Sequence, residues 1–130
     1  MKILVIDDDP NMTELLKLLL EPASSAILTA NSGPEGIHLA KTQHPDMMIL
    51  DLMMPDMSGW QVCKVMRDFS KVPILILSAL DSPGLVAAAL DAGADDYLIK
   101  PVTSNVLVAH VKNLVKRNRI MPNYPSVARI

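Results

Sequence analysis

Ionisable or hydroxyl side chains stand directly after four short apolar runs of this sequence. They are Asp7, Asp8 and Asp9 after residues 2–6, Asp51 after 47–50, Ser78 after 74–77 and Lys100 after 97–99. Short apolar runs bounded by turn residues are typical of strands that are buried on both faces, as in a parallel sheet. Because ligands bind outside the carboxyl ends of such strands, we expect these side chains to converge on one site.

A cluster of aspartates at one site is electrostatically unfavourable by itself. Two like charges about 4 Å apart repel by roughly 4 kcal/mol at an effective dielectric constant near 20. Either one carboxyl group takes up a proton, or a cation lies between the carboxylates. Carboxylates, a backbone carbonyl and water are ligands that suit Mg²⁺. No Cys/His cluster offers a zinc or copper site, since the histidines are scattered over predicted helices, at His38, His44 and His110.

Lys100 and Ser78 extend the predicted chemistry beyond metal binding. A Mg²⁺ store needs neither an ammonium group nor a hydroxyl at the same place, whereas a phosphoryl group needs cations and hydrogen-bond donors around its oxygens. The Asp51 carboxylate could then act as a nucleophile and form an acyl phosphate, as in aspartyl-phosphate enzymes. The residue types therefore favour phosphoryl transfer.

The apolar runs that position these residues alternate with helical patterns along the chain. Strands are predicted over residues 2–6, 26–30, 47–50, 72–77 and 95–99, and helices over 10–21, 33–44, 59–68, 83–93 and 103–117. This alternation favours an α/β fold of the type (βα)5, a doubly wound parallel sheet with right-handed crossovers. A flavodoxin-like strand order of 2-1-3-4-5 would bring residues 7–9 near Asp51.

Several residues mark the predicted helix ends. Asp9 and Ser82 are predicted N-caps, each followed by a proline at the first helical position. Ser32 and Glu35 have capping-box spacing, and Gly93 is expected at the C′ position of the fourth helix. In the fifth helix, five apolar residues are expected to face inward: Val106, Leu107, Val111, Leu114 and Val115.

Composition bounds the class of protein. The chain has 130 residues, half of them hydrophobic, which suits one domain. We assign residues 1–117 to that domain and residues 118–130, which lack periodicity, to a tail or linker stub. The single Cys63 fits a reducing compartment, and no apolar stretch approaches a membrane span of about 18 residues. We therefore expect a cytoplasmic protein that does not contact a membrane.

Charge is distributed unevenly along the chain. Residues 1–100 carry all 14 acidic residues and seven of the 12 basic ones, a net charge of −7, while residues 101–130 carry the other five basic residues. A basic end can mark a nucleic-acid contact. Cations that complement a helix dipole are the favoured explanation, because no aromatic platform or recognition-helix motif accompanies them. Direct nucleic-acid binding by this chain is therefore not expected.

Four motifs in order resemble those of the bacterial response-regulator receiver domain, over about residues 2–117. They are Ile-Leu-Val-Ile-Asp-Asp-Asp-Pro at 3–10, Asp-Leu-Met-Met-Pro-Asp-Met-Ser-Gly at 51–59, Pro-Ile-Leu-Ile-Leu-Ser-Ala at 73–79 and Ala-Gly-Ala-Asp-Asp-Tyr-Leu-Ile-Lys-Pro at 92–101. Each motif alone is a weak match, whereas four at receiver-like separations are highly specific. The resemblance implies a phosphorylation-dependent signalling module of a two-component system.

The resemblance also implies a role for each residue of the site. Asp51 would accept a phosphoryl group from a sensor histidine kinase. Asp8 would ligate Mg²⁺ directly, and Asp7 would assist mostly through water. The backbone carbonyl of Met53 would be a further ligand, and Lys100 would pair with the acyl phosphate.

Three further residues would form a switch in such a domain. The Ser78 hydroxyl would follow the phosphoryl oxygen, Ala79 is suitably small beside it, and Tyr97 would turn inward once the Ser78 loop moves. This change would remodel the surface of the fourth helix, fifth strand and fifth helix, and so control a downstream effector domain or protein. The Lys100–Pro101 peptide bond would be cis. From the residues alone, Tyr97 could equally be an edge-strand packing residue.

The output surface departs from that of familiar receiver domains. Winged-helix regulators with such domains commonly carry a Glu and, a turn later, an Arg in the fifth helix, which form dimer salt bridges. Val106 and His110 occupy those positions here, and Ala88 and Ala89 leave the fourth helix without a matching cation. A homodimer through this surface, if formed, would therefore be more apolar than usual. Exposed apolar side chains there would otherwise indicate a partner-binding patch.

Two other functions stay open as alternatives. A Mg²⁺-dependent phosphohydrolase is disfavoured because no insertion is long enough for a substrate cap and no second acid or base follows Asp51 at short spacing. A phosphorylation-independent interaction module is disfavoured because every motif residue is present. An enzyme with a turnover substrate is therefore not expected, since the domain would catalyse only its own phosphorylation and dephosphorylation.

Overall fold

Five strands and five helices alternate in the part of the chain that the computed structural model describes, residues 1–120. The strands are β1 (Lys2–Ile6), β2 (Ala26–Ala30), β3 (Met47–Leu50), β4 (Ile74–Ser78) and β5 (Asp96–Ile99). The helices are α1 (Pro10–Leu20), α2 (Gly33–Gln43), α3 (Gly59–Arg67), α4 (Pro83–Asp91) and α5 (Ser104–Ile120). None of these helices is both long and apolar enough to cross a membrane.

The strands form one sheet in the order β2-β1-β3-β4-β5, and every pairing is parallel. The register brings the carboxyl ends of the strands to one edge. Ile6 of β1 lies opposite Ala30 of β2 and Leu50 of β3, and Ser78 of β4 lies opposite Ile99 of β5. The (βα)5 fold and the flavodoxin-like order predicted from the sequence are confirmed.

Alternate residues of each strand face two separate layers of helices. In β1, Leu4 and Ile6 join a core cluster with residues of α2, α3 and α4, whereas Ile3 and Val5 join a second cluster with residues of α1 and α5. Each of these four side chains is at most 1% exposed, and full burial of one such side chain stabilises the fold by about 1.5–3 kcal/mol. Burial on both faces explains why β1, β3 and β4 appear in the sequence as continuous apolar runs, whereas the edge strands β2 and β5 are only partly buried.

The N-caps of α1 and α2 follow the sequence prediction in part. The Asp9 side chain accepts a hydrogen bond from the Asn11 amide, as predicted for an N-cap. The Ser32 side chain accepts from the Glu35 amide, but the Glu35 carboxylate lies 3.4 Å from the amide of Asn31 rather than bonding to that of Ser32. The capping box predicted for α2 is therefore half formed.

The ends of α3 and α4 differ from the prediction more strongly. Ser58 and Gln61 form a complete capping box at the start of α3, which the sequence analysis did not identify. Ser82 occupies the N-cap position of α4, but its side chain makes no capping hydrogen bond, so the predicted cap lacks its bond. Gly93 follows the C-cap of α4 with a φ of 119°, as expected for a C′ glycine. Helix α4 buries only Ala89.

Several predicted boundaries shift by one to three residues in the structure, and the start of β4 and the end of α5 have a cause in the sequence. Strand β4 begins at Ile74 rather than at residue 72 and includes Ser78, because Pro73 has no amide hydrogen to donate to a ladder. Helix α5 continues to Ile120, past the predicted end at residue 117, since no proline or glycine interrupts it before Pro122. Residues 118–120 are therefore helical, and the rest of the predicted tail, 121–130, lies outside the described residues.

Val106 does not face inward as predicted. Its side chain is 44% exposed. The inward stripe of α5 is formed by Leu107, Val111 and Leu114, which are spaced three or four residues apart, together with Val115, and all four are buried. Because successive residues of a helix are about 100° apart, Val106 lies beside this stripe on the surface, together with His110 one turn later.

Candidate functional site

Backbone hydrogen bonds carry the sheet one residue beyond β1 and β3. The amide of Asp7 donates to the Ala30 carbonyl over 3.1 Å, and the amide of Asp51 donates to the Ile6 carbonyl over 3.0 Å. Both aspartates are therefore fixed at the same edge of the sheet, after neighbouring strands. This is the edge at which ligands bind in open parallel sheets.

The carboxylates of Asp7, Asp8 and Asp51 form one cluster. One oxygen from each lies within 4.8 Å of the others. Asp7 is 3% exposed and Asp51 is 8% exposed, whereas Asp8 is open to solvent. The cluster therefore has two buried members and one accessible member, and its summed negative charge favours the binding of a cation.

Lys100 supplies part of the counter-charge. Its Nζ atom lies 2.9 Å from Asp7 Oδ2 and 3.8 Å from Asp51 Oδ2. The Lys100–Pro101 peptide bond is cis, as the resemblance implies, and the Lys100 amide donates to the Ser78 carbonyl over 2.9 Å. These contacts bring the end of β5 to the carboxylates. One ammonium group beside three carboxylates leaves the site with an excess of negative charge.

Burial disfavours the charged form of the Asp51 carboxyl group. Burial is the largest effect and raises its pKa above the ordinary value. The Lys100 ammonium lowers this pKa, the Asp7 carboxylate raises it, and the amides of Met53 and Leu52 lower it. Asp51 Oδ1 is buried and has no hydrogen-bond partner among the described residues. A buried carboxylate oxygen without a partner costs free energy that a bound ligand would recover.

These donors fit Mg²⁺, a hard cation that prefers oxygen ligands and keeps several waters. The cluster offers a buried oxygen that lacks a protein partner beside an exposed carboxylate that leaves room for water. Asp7, Asp8 and Asp51 are the only group of His, Cys, Asp and Glu side chains within residues 1–120 whose spacing suits a metal ion. Met53 lies in the loop that follows β3, with a side chain that is 60% exposed.

Gly59 allows the loop after Asp51 to return close to the backbone of Asp51 and Leu52. A Cβ atom at this position would lie 2.4 Å from the Asp51 carbonyl oxygen and 2.8 Å from the Leu52 Cα atom. The Gly59 amide donates to the Leu52 carbonyl over 2.9 Å, which closes the loop that carries Met53. Any side chain at residue 59 would therefore displace the backbone of the acidic cluster.

Ser78, the last residue of β4, and Tyr97, the second residue of β5, both contact Leu80. Ser78 is fully buried, and its Oγ atom accepts a hydrogen bond from the Leu80 amide over 3.3 Å. The Tyr97 hydroxyl donates to the Leu80 carbonyl over 2.6 Å. Burial raises the pKa of Tyr97, and a hydrogen bond with the Ser78 side chain lowers it. Ala79, between Ser78 and Leu80, is exposed.

Two polar residues beside Asp7 were missed by the sequence analysis. Asn31 Nδ2 donates to the Asp7 carbonyl over 2.9 Å and lies 3.2 Å from Thr13 Oγ1. Asn31 directly follows β2, just as the other site residues directly follow their strands. The signal that identified those residues therefore also points to Asn31, which holds the backbone of Asp7 in place.

The three histidines lie apart from one another in the structure. His38 is exposed on α2, and His44 forms the left-handed C-cap of that helix with a φ of 49°. His110 lies on α5, where its Nδ1 atom is 2.6 Å from Asp96 Oδ2 of β5. This contact was not predicted from the sequence, because it joins residues on different elements.

Residues 3–112 match the family described as the response regulator receiver domain. The chain belongs to this family. The match covers the five strands except for Lys2, and it includes the residues of the acidic cluster. Membership in this family identifies the domain as a module of phosphorylation-dependent signalling, and the fold and site described above agree with that assignment.

Curated relatives of this receiver domain are named as regulators. The DNA-binding response regulator MtrA of Mycolicibacterium smegmatis is 38% identical over 121 residues, which cover 93% of this chain and 53% of that protein. The alkaline phosphatase synthesis transcriptional regulatory protein PhoP of Bacillus subtilis is 38% identical over 120 residues, which cover 92% of this chain and 50% of that protein. The receiver chain thus spans about half the length of these relatives, which are regulators rather than classical enzymes.

Solved receiver structures are similar over most of their length. The receiver domain of the Francisella response regulator 1452 is 36% identical with a TM-score of 0.83, covering 90% of this chain and 98% of that one. A two-component response regulator from Clostridium difficile is 33% identical with a TM-score of 0.85, covering 90% of this chain and 97% of that one. The receiver fold therefore accounts for nearly all of the described residues.

Proposed function

We propose that Asp51 accepts a phosphoryl group from a partner sensor histidine kinase, with Mg²⁺ bound at the cluster of Asp7, Asp8 and Asp51. The observation that carries this proposal is the buried Oδ1 atom of Asp51, a residue of the carboxylate cluster, because this atom has no hydrogen-bond partner in the described part of the chain. An oxygen that no donor engages keeps its lone pairs for a metal ion or for attack on phosphorus.

The neighbouring residues divide the work of metal binding. Asp8 is exposed and would ligate Mg²⁺ directly, and the backbone carbonyl of Met53 would be a further ligand. Asp7 Oδ2 contacts Lys100 and its Oδ1 atom accepts from the Asp9 amide over 3.0 Å, so Asp7 assists mostly through water. When bound, Mg²⁺ offsets the negative charge that the carboxylates and the phosphoryl oxygens bring together.

Asp51 forms and later loses the bond to phosphorus. Its carboxylate oxygen attacks phosphorus while the bond from phosphorus to the donor histidine nitrogen breaks, and that nitrogen keeps the electron pair. Lys100, whose Nζ atom is 3.8 Å from Asp51 Oδ2, pairs with the transferred oxygens. Water then hydrolyses the acyl phosphate, which restores the carboxylate and releases inorganic phosphate. The domain modifies only itself in this cycle and turns over no other substrate.

The phosphoryl group then acts on Ser78 and Tyr97. The Ser78 hydroxyl turns to a phosphoryl oxygen and releases the Leu80 amide that it now accepts from. Because the Tyr97 hydroxyl is bonded to the Leu80 carbonyl, the ring follows the same segment. Ala79 is small, so it does not obstruct the movement. Such a switch needs only a segment with two conformations whose balance is shifted by the new local charge.

The changed surface comprises α4, β5 and α5. Three of its apolar side chains, Leu90, Ile99 and Val106, are between 44% and 45% exposed. A downstream effector, either a further domain or a separate protein, binds this apolar surface in the proposal. A homodimer through the same surface is the second arrangement that these side chains favour.

We also propose that the domain acts in the cytoplasm. Cys63 is free and buried in α3. Burial raises the pKa of its thiol to about 11, so the thiol stays protonated and inert at neutral pH. A free cysteine of this kind is suited to a reducing compartment.

The intact mass of the protein after incubation with Mg²⁺ and acetyl phosphate tests the proposal. We expect wild type to gain one labile phosphoryl group and Asp51→Asn to gain none. Asp56→Asn is the matched control, because Asp56 is an exposed carboxylate of the same loop. Its backbone has a φ of 67°, a conformation that asparagine tolerates. This variant should be phosphorylated like wild type.

Each competing function gives a different result in that experiment. Turnover of added p-nitrophenyl phosphate would identify a phosphohydrolase and contradict the proposal. Neither phosphorylation nor turnover would identify a phosphorylation-independent interaction module. Phosphorylation of Asp51→Asn to the extent of wild type would place the acceptor elsewhere and also overturn the assignment of Asp51.

A further inference from the structure

His110 and Asp96 form a side-chain contact between α5 and the edge strand β5. His110 Nδ1 lies 2.6 Å from Asp96 Oδ2, and the two side chains are 39% and 31% exposed. A carboxylate can only accept hydrogen bonds. The imidazole must therefore carry a proton on Nδ1 in this contact, and a change in its charge takes place at Nε2.

The second oxygen of Asp96 contacts the backbone of the switch residue. Asp96 Oδ1 accepts a hydrogen bond from the Tyr97 amide over 2.8 Å. The Tyr97 hydroxyl donates in turn to the Leu80 carbonyl, in the segment that begins at Ser78. One carboxylate thus connects the imidazole of His110 with the peptide that precedes the Tyr97 side chain.

We propose that His110 is a positioning residue for Tyr97, acting through Asp96 and responding to pH. When Nε2 takes up a proton, the imidazolium draws the negative charge of Asp96 towards Oδ2. The Oδ1 atom then accepts less strongly from the Tyr97 amide, and the backbone at the start of β5 is held less firmly. When Nε2 loses that proton, the bond to Tyr97 strengthens.

Histidine suits this role because its charge changes between about pH 5 and pH 8. The ionisable groups on the elements packed against α5 are Asp96 and Tyr97 of β5 and Glu14 and Lys17 of α1, with Asp95 directly before β5, and the described side chains of α5 itself include Lys112, Lys116 and Arg117. Asp95 is bound by Arg67. Asp96 is the acidic group that forms an ion-pair contact with the imidazole in the described part of the chain. The carboxylate that senses the proton is therefore Asp96.

The inference rests on the proposed function only in its consequence, that pH shifts the balance between the two states of Tyr97. The contact itself exists in the unphosphorylated protein. Tyr97 faces the layer of α2, α3 and α4, while Leu98 faces the layer of α1 and α5. Because side chains alternate along a strand, Asp96 faces α5 with Leu98, and His110 thus reaches the Tyr97 backbone from the opposite side of the sheet.

A pH titration followed by nuclear magnetic resonance tests the coupling directly. In the free protein between about pH 5 and pH 8, we expect the Tyr97 amide proton to move upfield on acidification. Its midpoint should equal that of the His110 imidazole protons. In His110→Gln this movement should disappear, and in His110→Arg, which keeps a cation at every pH, the Tyr97 amide should be insensitive to pH.

His38→Gln is the matched control, because His38 is exposed on α2 in the other helical layer. This variant should keep the full Tyr97 titration. A Tyr97 amide that does not titrate in wild type, or that titrates equally in His110→Gln, would overturn the inference.

The same titration with Mg²⁺ and beryllofluoride, a phosphoryl mimic, separates this inference from the proposed function. If the coupling is correct and the site is functional, the Tyr97 ring signals should respond to beryllofluoride with a midpoint concentration that depends more strongly on pH in wild type than in His110→Gln, which keeps only the pH dependence of Asp51. A Tyr97 amide that titrates with His110 in a protein that beryllofluoride leaves unchanged would support the coupling and contradict the proposed function instead.

Discussion

The ammonium nitrogen of Lys100 lies 2.9 Å from the carboxylate of Asp7. This pair joins the end of β5 to the end of β1, two strands that are not neighbours in the sheet. It therefore ties together the two halves of the site. Lys100 is also the cation that contacts the cluster, so removing its charge tests the electrostatics of the site directly.

Lys100→Met should destabilise the protein in the presence of a chelator. The substitution leaves Asp7 buried without its cation. Losing one partner of a buried pair costs about 3–5 kcal/mol, and we expect about 2 kcal/mol here because the Lys100 side chain is 20% exposed. Urea unfolding measures the loss, and Mg²⁺ should restore part of it. Lys71→Met, at an exposed lysine outside the cluster, should leave stability within about 0.5 kcal/mol of wild type.

Asp51→Asn should stabilise the metal-free protein at neutral pH. Burial raises the pKa of Asp51 in the folded state above its ordinary value of 3.8. A carboxyl group whose pKa is raised in the folded state makes its full contribution to stability when the pH is below its pKa in the unfolded state. This contribution is lost as the pH rises through its pKa in the folded state. Ionisation of Asp51 at pH 7 therefore lowers the free energy of unfolding of wild type, whereas asparagine does not ionise. We expect a gain on the order of 1 kcal/mol.

Unfolding measured at several pH values in a chelator checks this sign. The difference between Asp51→Asn and wild type should narrow as the pH falls towards 4. Asp68→Asn, at an exposed carboxylate beyond α3, should show no comparable gain. A variant that is less stable than wild type at pH 7, or an advantage that grows in acid, would show that the Asp51 carboxylate is stabilised rather than strained by its surroundings.

Arg67→Lys should destabilise the fold away from the site. The guanidinium donates to three backbone carbonyls and one carboxylate: those of Ser70, Val72, Gly93 and Asp95. A single ammonium cannot reproduce this fork of donors. Leaving some of these acceptors without a donor should cost about 2 kcal/mol. Thermal or urea unfolding measures the loss.

Lys64 provides the comparison for Arg67. It is exposed one turn earlier on α3, so Lys64→Met should change stability by no more than about 0.5 kcal/mol. Similar losses in Lys64→Met and Arg67→Lys would mean that charge on α3, and not the set of hydrogen bonds, is what stabilises this region.

Helix α4 should exchange its amide hydrogens faster than α3. The two helices have nine residues each, but α3 buries four residues and has a complete capping box, whereas α4 buries only Ala89 and lacks a side-chain cap. Few buried contacts and an uncapped end lower the free energy of local opening. Hydrogen exchange read by mass spectrometry compares the two directly, and equal protection would contradict the weak anchoring of α4.

The strand pattern predicted much of the fold and of the acidic site. Asp7, Asp51 and Lys100 could be predicted because each follows a short apolar run that forms a strand, and parallel register brings strand ends to one edge. The same rule applied to β2 would have found Asn31. These residues need only the order of the strands and not the direction of any side chain.

Contacts between distant elements could not be predicted in that way. The hydrogen bonds of Arg67 to Gly93 and the contact of His110 with Asp96 depend on how helices pack on the sheet and on side-chain rotamers. The exposure of Val106 likewise depends on which face of α5 packs inward, a choice that its sequence of closely spaced apolar residues leaves open. Local periodicity carries no information of this kind.

Tyr97 and Asp96 are adjacent in β5, yet their side chains lie on opposite sides of the sheet. A rotation of the single peptide between them would alter both helical layers at once. Two separate faces of the molecule would then change shape in concert, and a protein bound to either face would sense what happens at the other through one bond of the outermost strand.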